Sequence, residues 1–120
     1  MIINNFLLVG AGGAIGSKLR YATSMATDSK NFPLATFIVN MAGSFFIGIL
    51  LALSLRDNIS NYGWKFLAIG ICGGFTTFSA FSPEGLQLLQ LEQYFVFLLY
   101  FAVSIAGGLA ATYAGYFLTQ

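Results

Sequence analysis

The sequence predicts an all-α membrane protein with four transmembrane helices, and three observations predict it. Of 120 residues, 58% are hydrophobic and only 8% are charged, with a mean hydropathy of +0.81. A soluble domain of this size cannot hide that much apolar surface. Apolar runs approaching the roughly 20 residues that a bilayer core demands recur four times. The runs are separated by short polar linkers, TDSKNFP, RDNISNYG and the region of LLQLEQ, with no strand-like alternation and no low-complexity tail.

The first span is expected from about Ile2 to Ile15, continuing weakly through Tyr21 to Met25. These apolar runs are too many and too long for a removable signal peptide, and no small-residue cleavage site follows the first. The second span is expected over Leu34–Leu55, uncharged, with Pro33 in its first turn. The third starts near Trp64, reaches about Phe81 and extends less clearly towards Leu91. The fourth, also uncharged, is expected over Tyr94–Leu118. Residues 1–120 are expected to form a single domain, multi-pass in the cell (inner) membrane. Four helices make a thin bundle, not expected to enclose a polar pathway alone.

Composition excludes several functions. A net charge of +1 gives no reason to expect nucleic acid. One cysteine, Cys72, excludes an intramolecular disulfide and a zinc cluster, and reads as a small packing residue. There is no histidine, so the commonest metal ligand and the commonest general base are missing, and no enzyme is expected. Asp28, Asp57, Glu84 and Glu92 fall in linkers or near helix ends, which argues against a proton-coupled transporter with a titratable group within the membrane. The first span, NNFLLVGAGGAIG, also lacks the membrane-embedded glutamate of four-helix multidrug exporters.

Lys18, Arg20 and Lys30 lie in the region joining the first two spans, and Arg56 and Lys65 lie on the other side. So small a bias sets no firm orientation. Either one topology wins, or the chain inserts both ways up and two copies pair antiparallel, an inverted repeat made of two chains.

Gly12 and Gly16, and Gly107, Ala111 and Gly115, are spaced by four, a pattern that lets helix backbones pack closely. Thr36, Asn40 and Ser44 share one face of the second span. Tyr100 and Ser104, followed by Gly108 and Thr112, repeat the spacing on the fourth. A track of neutral donors suits a small anion without trapping it. The alternative is hydrogen bonding between helices, worth about 0.6–2 kcal/mol each. That alternative is favoured for Ser44 and Thr112, whereas Asn40, an amide hard to satisfy in mid-membrane, stays open to either role.

The stretch GICGGFTTFSAFSPE, Gly70 to Glu84, is unusual for a lipid-facing helix. Phe75, Phe78 and Phe81 are three apart and are expected along one side of a helix, as packing residues or as functional ones. Gly73 and Gly74, followed by Thr76 and Thr77, predict a break in the third helix near Gly73–Thr77. A break frees carbonyls that must find protein, water or an ion, and carbonyl oxygens suit a cation such as Na+. Phenylalanine ring edges are electropositive and can face an anion.

The blocks GGAIGSKLRY (with Gly12, Gly13, Gly16 and Arg20), FPLATFIVNMAGSFFIG (with Thr36, Asn40, Gly43, Ser44 and Gly48) and GGFTTFSAFSPE, and then Tyr100 and Ser104, occur in that order. Together they resemble the Fluc (also called CrcB) family of fluoride channels over nearly the whole chain. The resemblance implies an antiparallel dual-topology homodimer with two fluoride pores, passive and fluoride-specific. It implies a structural, untransported Na+ at the dimer interface, held by main-chain carbonyls at positions matching Gly73 and Thr76. Phe78 and Phe81 match the phenylalanines whose ring edges line the pores, and Asn40 matches the asparagine that hydrogen-bonds the ion near the vestibule. Ser79, Thr36, Tyr100 and Ser104 match parts of the polar track, and Arg20 matches an arginine that attracts anions or simply snorkels. The implied role is the release of fluoride that has entered as HF. Ala80, Gly108, Ala35 and Ile71 depart from the common pattern and alter the details of the polar track. The rival readings are a proton-coupled small-ion transporter, a non-conducting assembly subunit, and one subunit of a heterodimeric channel. The near-neutral charge bias argues against the last.

Overall fold

A computed structural model describes residues 2–27 and 32–120. Asp28 and Lys30, both assigned above to the first linker, lie outside the described residues. Among the described residues the protein is helical, without strands, and four helical stretches are long and apolar enough to cross a membrane.

Helix α1 runs over Ile2–Ala26 and α2 over Leu34–Leu55. The third stretch begins with α3 (Asn61–Trp64), continues as a π-helical segment over Lys65–Cys72 and then as α4 (Gly73–Phe75), and resumes as α5 (Phe78–Gln90). Helix α6 covers Tyr94–Thr119. The longest dimension, 49 Å, is close to the roughly 40–45 Å of a bilayer with its headgroups.

The first span is longer than its apolar run suggests, because Lys18 and Arg20 continue α1 rather than starting a loop. Pro33 is the residue just before α2, not part of its first turn. Its carbonyl accepts from the Phe37 N–H at 3.2 Å. The connection to α6 shrinks to Leu91–Gln93, with Glu92 in a left-handed conformation at φ 58°. Glu84 therefore does not belong to that connection; it sits inside α5. Pro83 and Gly85 look like helix breakers beside it, yet Phe81, Gly85 and Leu88 keep the helical rhythm and all are buried.

Two close helix contacts organise the bundle. Helix α1 packs along the π-helical segment and α4, while α2 packs along α6. Both depend on bare backbone. A Cβ on Gly16 would meet the Ile71 carbonyl oxygen, and one on Gly48 would meet the Thr112 carbonyl oxygen. Small residues at such crossings let main chains touch in lipid, where dispersion rather than water exclusion holds helices together. At the far end of α2, Arg56 Nη2 donates to the Thr119 carbonyl at 2.6 Å, placing positive charge at the C-terminus of α6, as its dipole favours.

Tyr100 is fully buried at 0% exposure and centres an aromatic cluster with Phe81 and Leu88, flanked by Phe32, Phe37 and Phe101. The Phe81 ring lies 4.9 Å from Tyr100 and 4.4 Å from Phe101, distances at which aromatic pairs add to their area burial. The cluster fixes α5 against α6 and so determines where the start of α5 points.

Candidate functional site

The site is built on Thr76 and Thr77. Gly73 is helical at φ −62° and ψ −37°, and α4 continues through Gly74 to Phe75. Thr76 and Thr77 then turn extended, with ψ 155° and 123°. These two β-branched residues, which lose side-chain freedom in helices, carry the departure from helical geometry. Of the adjacent glycines, Gly74 serves close packing, since a Cβ there would lie 2.6 Å from the Gly13 carbonyl oxygen.

Asn40 of α2 holds the extended pair. Its Oδ1 accepts from the Thr77 N–H at 2.8 Å, and its Nδ2 donates to the Thr77 carbonyl at 3.2 Å. Thr77 Oγ1 accepts from the Ala80 N–H at 3.1 Å and so caps α5. It also shares a 2.9 Å hydrogen bond with Ser79 Oγ. Thr76 Oγ1 donates back to the Cys72 carbonyl at 2.9 Å.

These bonds divert donors that would otherwise face inward along a helix. In an uninterrupted helix the Thr77 N–H would bond the Gly73 carbonyl, and the Ala80 N–H would bond the Thr76 carbonyl. Here the first goes to Asn40 and the second to Thr77 Oγ1. The carbonyls of Gly73 and Thr76 lose their helical partners, and both residues line a cavity of about 250 Å³ with Asn40, Ser44 and Cys72. Neutral carbonyl oxygens of this kind are hard-cation ligands. Among the described residues no group of three or more His, Cys, Asp or Glu side chains gathers elsewhere.

A second cavity, about 290 Å³, shares Asn40, Ser44 and Thr76 with the first and is lined further by Met41, Phe78, Phe81 and Ser104. Phe78 is 74% exposed and Phe81 only 7%, with ring centroids 5.6 Å apart. Ser104 Oγ is buried and has no hydrogen-bond partner among the described residues. An unpaired buried hydroxyl is costly, and Ser104 lines the groove. Phe75 does not join the other two phenylalanines on one helical side. The extended pair separates them, and Phe75 faces an apolar cavity with Leu19, Phe46 and Ile71.

A further polar cavity, also about 290 Å³, is lined by Arg20, Tyr21, Thr36, Thr77 and Glu84. Tyr100 OH donates to Glu84 Oε1 at 3.1 Å. Thr77 lines both this cavity and the Phe78 groove, so the two adjoin across one residue. Asn40, Phe78, Phe81 and Ser104 thus come together, as do Gly73 and Thr76, and Arg20 shares its cavity with Thr36. Tyr100 and Ser104 do not share a cavity; the buried tyrosine donates to Glu84, which lines the Arg20 cavity. Sequence reasoning placed Thr77 only at the break and did not assign Glu84 or Met41 to the site. Thr77 precedes a helix start, the usual place for a capping threonine. Glu84 was assigned to a linker or helix end, and Met41 is hidden by its ordinary apolar character.

Fold and site together define a multi-pass membrane protein whose polar cavities are lined mainly by neutral donors and aromatic rings. Residues 7–116 match the family model for CrcB-like protein, Camphor Resistance (CrcB). The chain belongs to this CrcB family. It is 46% identical over 123 residues to a protein of Azobacteroides pseudotrichonymphae named fluoride-specific ion channel FluC, covering 99% of this chain and 98% of the relative. Proteins of the same name from Chlorobium luteolum (49% identical, 91% of this chain and 87% of the relative) and Thermus thermophilus (45%, 97% and 94%) are similar along nearly their full lengths. These relatives are named as ion channels, not as enzymes.

Proposed function

We propose that this chain forms a passive channel selective for fluoride, working as an antiparallel homodimer that assembles from copies inserted in both orientations. The observation that carries the reading is the near-full-length similarity to relatives named fluoride-specific ion channel FluC. The geometry supports it. A single chain leaves its Phe78 groove open along one side, with Phe78 largely exposed, and a second copy would close it.

Fluoride is small and strongly hydrated, so each lost water must be replaced. Arg20 draws the anion into the cavity it shares with Thr36, Thr77 and Glu84. From there Asn40, Ser79, Ser104 and the edges of Phe78 and Phe81 act as weak, successive partners, with Tyr100 and Thr36 continuing the polar track. Weak sites in series let an ion enter and leave. The interruption at Thr76 and Thr77 serves a structural Na+, because the Gly73 and Thr76 carbonyls have lost their helical donors. One chain offers two such oxygens, and an antiparallel partner offers two more. The ion stabilises the interface and is not transported. In the cell, HF crosses the lipid and dissociates inside, and the negative interior drives fluoride back out through the channel.

The test is ion efflux from liposomes containing purified protein, followed with a fluoride electrode and a parallel chloride electrode. Rapid fluoride release with chloride retained is expected. No fluoride release from folded, dimeric protein in Na+ buffer overturns the reading.

A further inference from the structure

We infer that Met41, seated against the bare backbone of Gly107, is the adjustable wall that sets the width of the groove past Ser104. The inference rests on the fluoride-channel reading and assigns a part in it to two residues that the polar track does not include.

Met41 lines the groove together with Phe78, Phe81 and the unpartnered Ser104 hydroxyl. Its thioether is held from behind by α6. A Cβ placed on Gly107 would lie 2.9 Å from Met41 Sδ and 3.7 Å from its terminal methyl carbon. The neighbouring glycine is different, because a Cβ on Gly108 would have only ordinary contacts, 3.7 Å from Ser44 Oγ and 3.8 Å from the Met41 methyl carbon. Gly107 is therefore the position that leaves room for the sulfur. Methionine has three rotatable bonds and adapts to irregular space, so it yields when pushed. With α6 behind it, the space open to it is the groove of about 290 Å³. A methyl group on Gly107 displaces Met41 forward, towards Ser104 and the Phe78 ring, and narrows the path of a fluoride ion.

The experiment compares fluoride efflux per folded channel, normalised to monodisperse protein recovered by gel filtration, for wild type, Gly107→Ala, Gly108→Ala, Met41→Ala and the Met41→Ala/Gly107→Ala double variant. Gly107→Ala is expected to slow efflux about tenfold, the effect of a modest rise in barrier, and Gly108→Ala much less. Met41→Ala should speed efflux, and the double variant should recover most of what Gly107→Ala loses. The rescue separates a wall that moves into the path from a general packing defect, which changes the folded yield but not the efflux of each folded channel. Efflux by Gly107→Ala equal to wild type, or a double variant no faster than Gly107→Ala, overturns the inference. Should Gly107→Ala fail to give monodisperse protein, Met41→Phe decides, since the larger ring must slow efflux beside a native Gly107, and unchanged efflux overturns the inference. Absent efflux in the wild type would instead overturn the channel reading itself.

Discussion

Asn40 and Thr77, 37 positions apart, exchange two hydrogen bonds, Thr77 N–H to Asn40 Oδ1 at 2.8 Å and Asn40 Nδ2 to the Thr77 carbonyl at 3.2 Å. The side-chain amide acts as a detached piece of backbone. It satisfies both main-chain groups of a residue that has left the helix, groups that need a partner within a membrane-spanning stretch.

Replacing Asn40 by alanine leaves the Thr77 N–H without its acceptor and removes one partner from its carbonyl. A loss of about 1–3 kcal/mol is expected, the cost of leaving buried polar groups unpaired. Thermal unfolding in detergent reads this directly, and fluoride efflux should fall with it. Asn40→Ala protein with wild-type melting and wild-type efflux would show the clamp to be dispensable.

Phe78 and Phe81 separate stability from conduction. Phe81 is buried against Tyr100 and Phe101, whereas Phe78 is largely exposed. Phe81→Ala should cost about 3–5 kcal/mol, as other buried aromatic truncations do, and reduce the yield of folded protein. Phe78→Ile should fold normally and conduct poorly, because the ring edge is gone while the packing is spared. Normal efflux through Phe78→Ile contradicts the pore assignment.

Gly16 tests the α1 crossing. A methyl group there meets the Ile71 carbonyl oxygen, and main chain cannot step aside as a side chain can. Gly16→Ala is expected to cost about 1–3 kcal/mol through overpacking, read as a lowered melting temperature. Gly10→Ala is the control, because a Cβ at Gly10 meets nothing within 4 Å.

Exchanging Na+ for a large organic cation should slow fluoride efflux and lower the melting temperature, both reversibly, if the Gly73 and Thr76 carbonyls hold the ion. An imposed proton gradient should leave fluoride efflux above that of protein-free liposomes unaccelerated, as expected of a channel rather than an exchanger. Acceleration by the gradient would point to Glu84, which lines the Arg20 cavity and accepts from Tyr100, as a coupling group.

Much of this was legible in the sequence. The second span has the bounds its apolar run predicts, Leu34–Leu55, because Pro33 and the polar RDN close it sharply. The fourth ends one residue beyond expectation, at Thr119. The grouping of Asn40, Phe78, Phe81 and Ser104 was suggested by the family resemblance rather than by spacing, and the structure brings these residues around one groove. Periodicity failed where geometry changes within a helix. The even spacing of Phe75, Phe78 and Phe81 implied one face, yet two extended threonines turn Phe75 away. Glu84 was assigned to a linker or helix end, yet α5 runs on through Pro83 and Gly85 with Phe81 and Leu88 buried on its inner face. The π-helical stretch at Lys65–Cys72, which packs along α1, leaves no local signature in the sequence.

The Asn40–Thr77 pairing also bears on how the chain is made. A ribosome delivers α2 to the membrane before the third span, because segments emerge from the N-terminus. The amide that receives Thr77 is therefore already in place when Thr77 arrives, and the extended pair need not wait unsheltered in lipid. A permuted gene that moved α2 behind α5 would reverse the order of template and client. Its third span would enter the bilayer with the Thr77 N–H unpaired, or as a continuous helix that must later be pulled open.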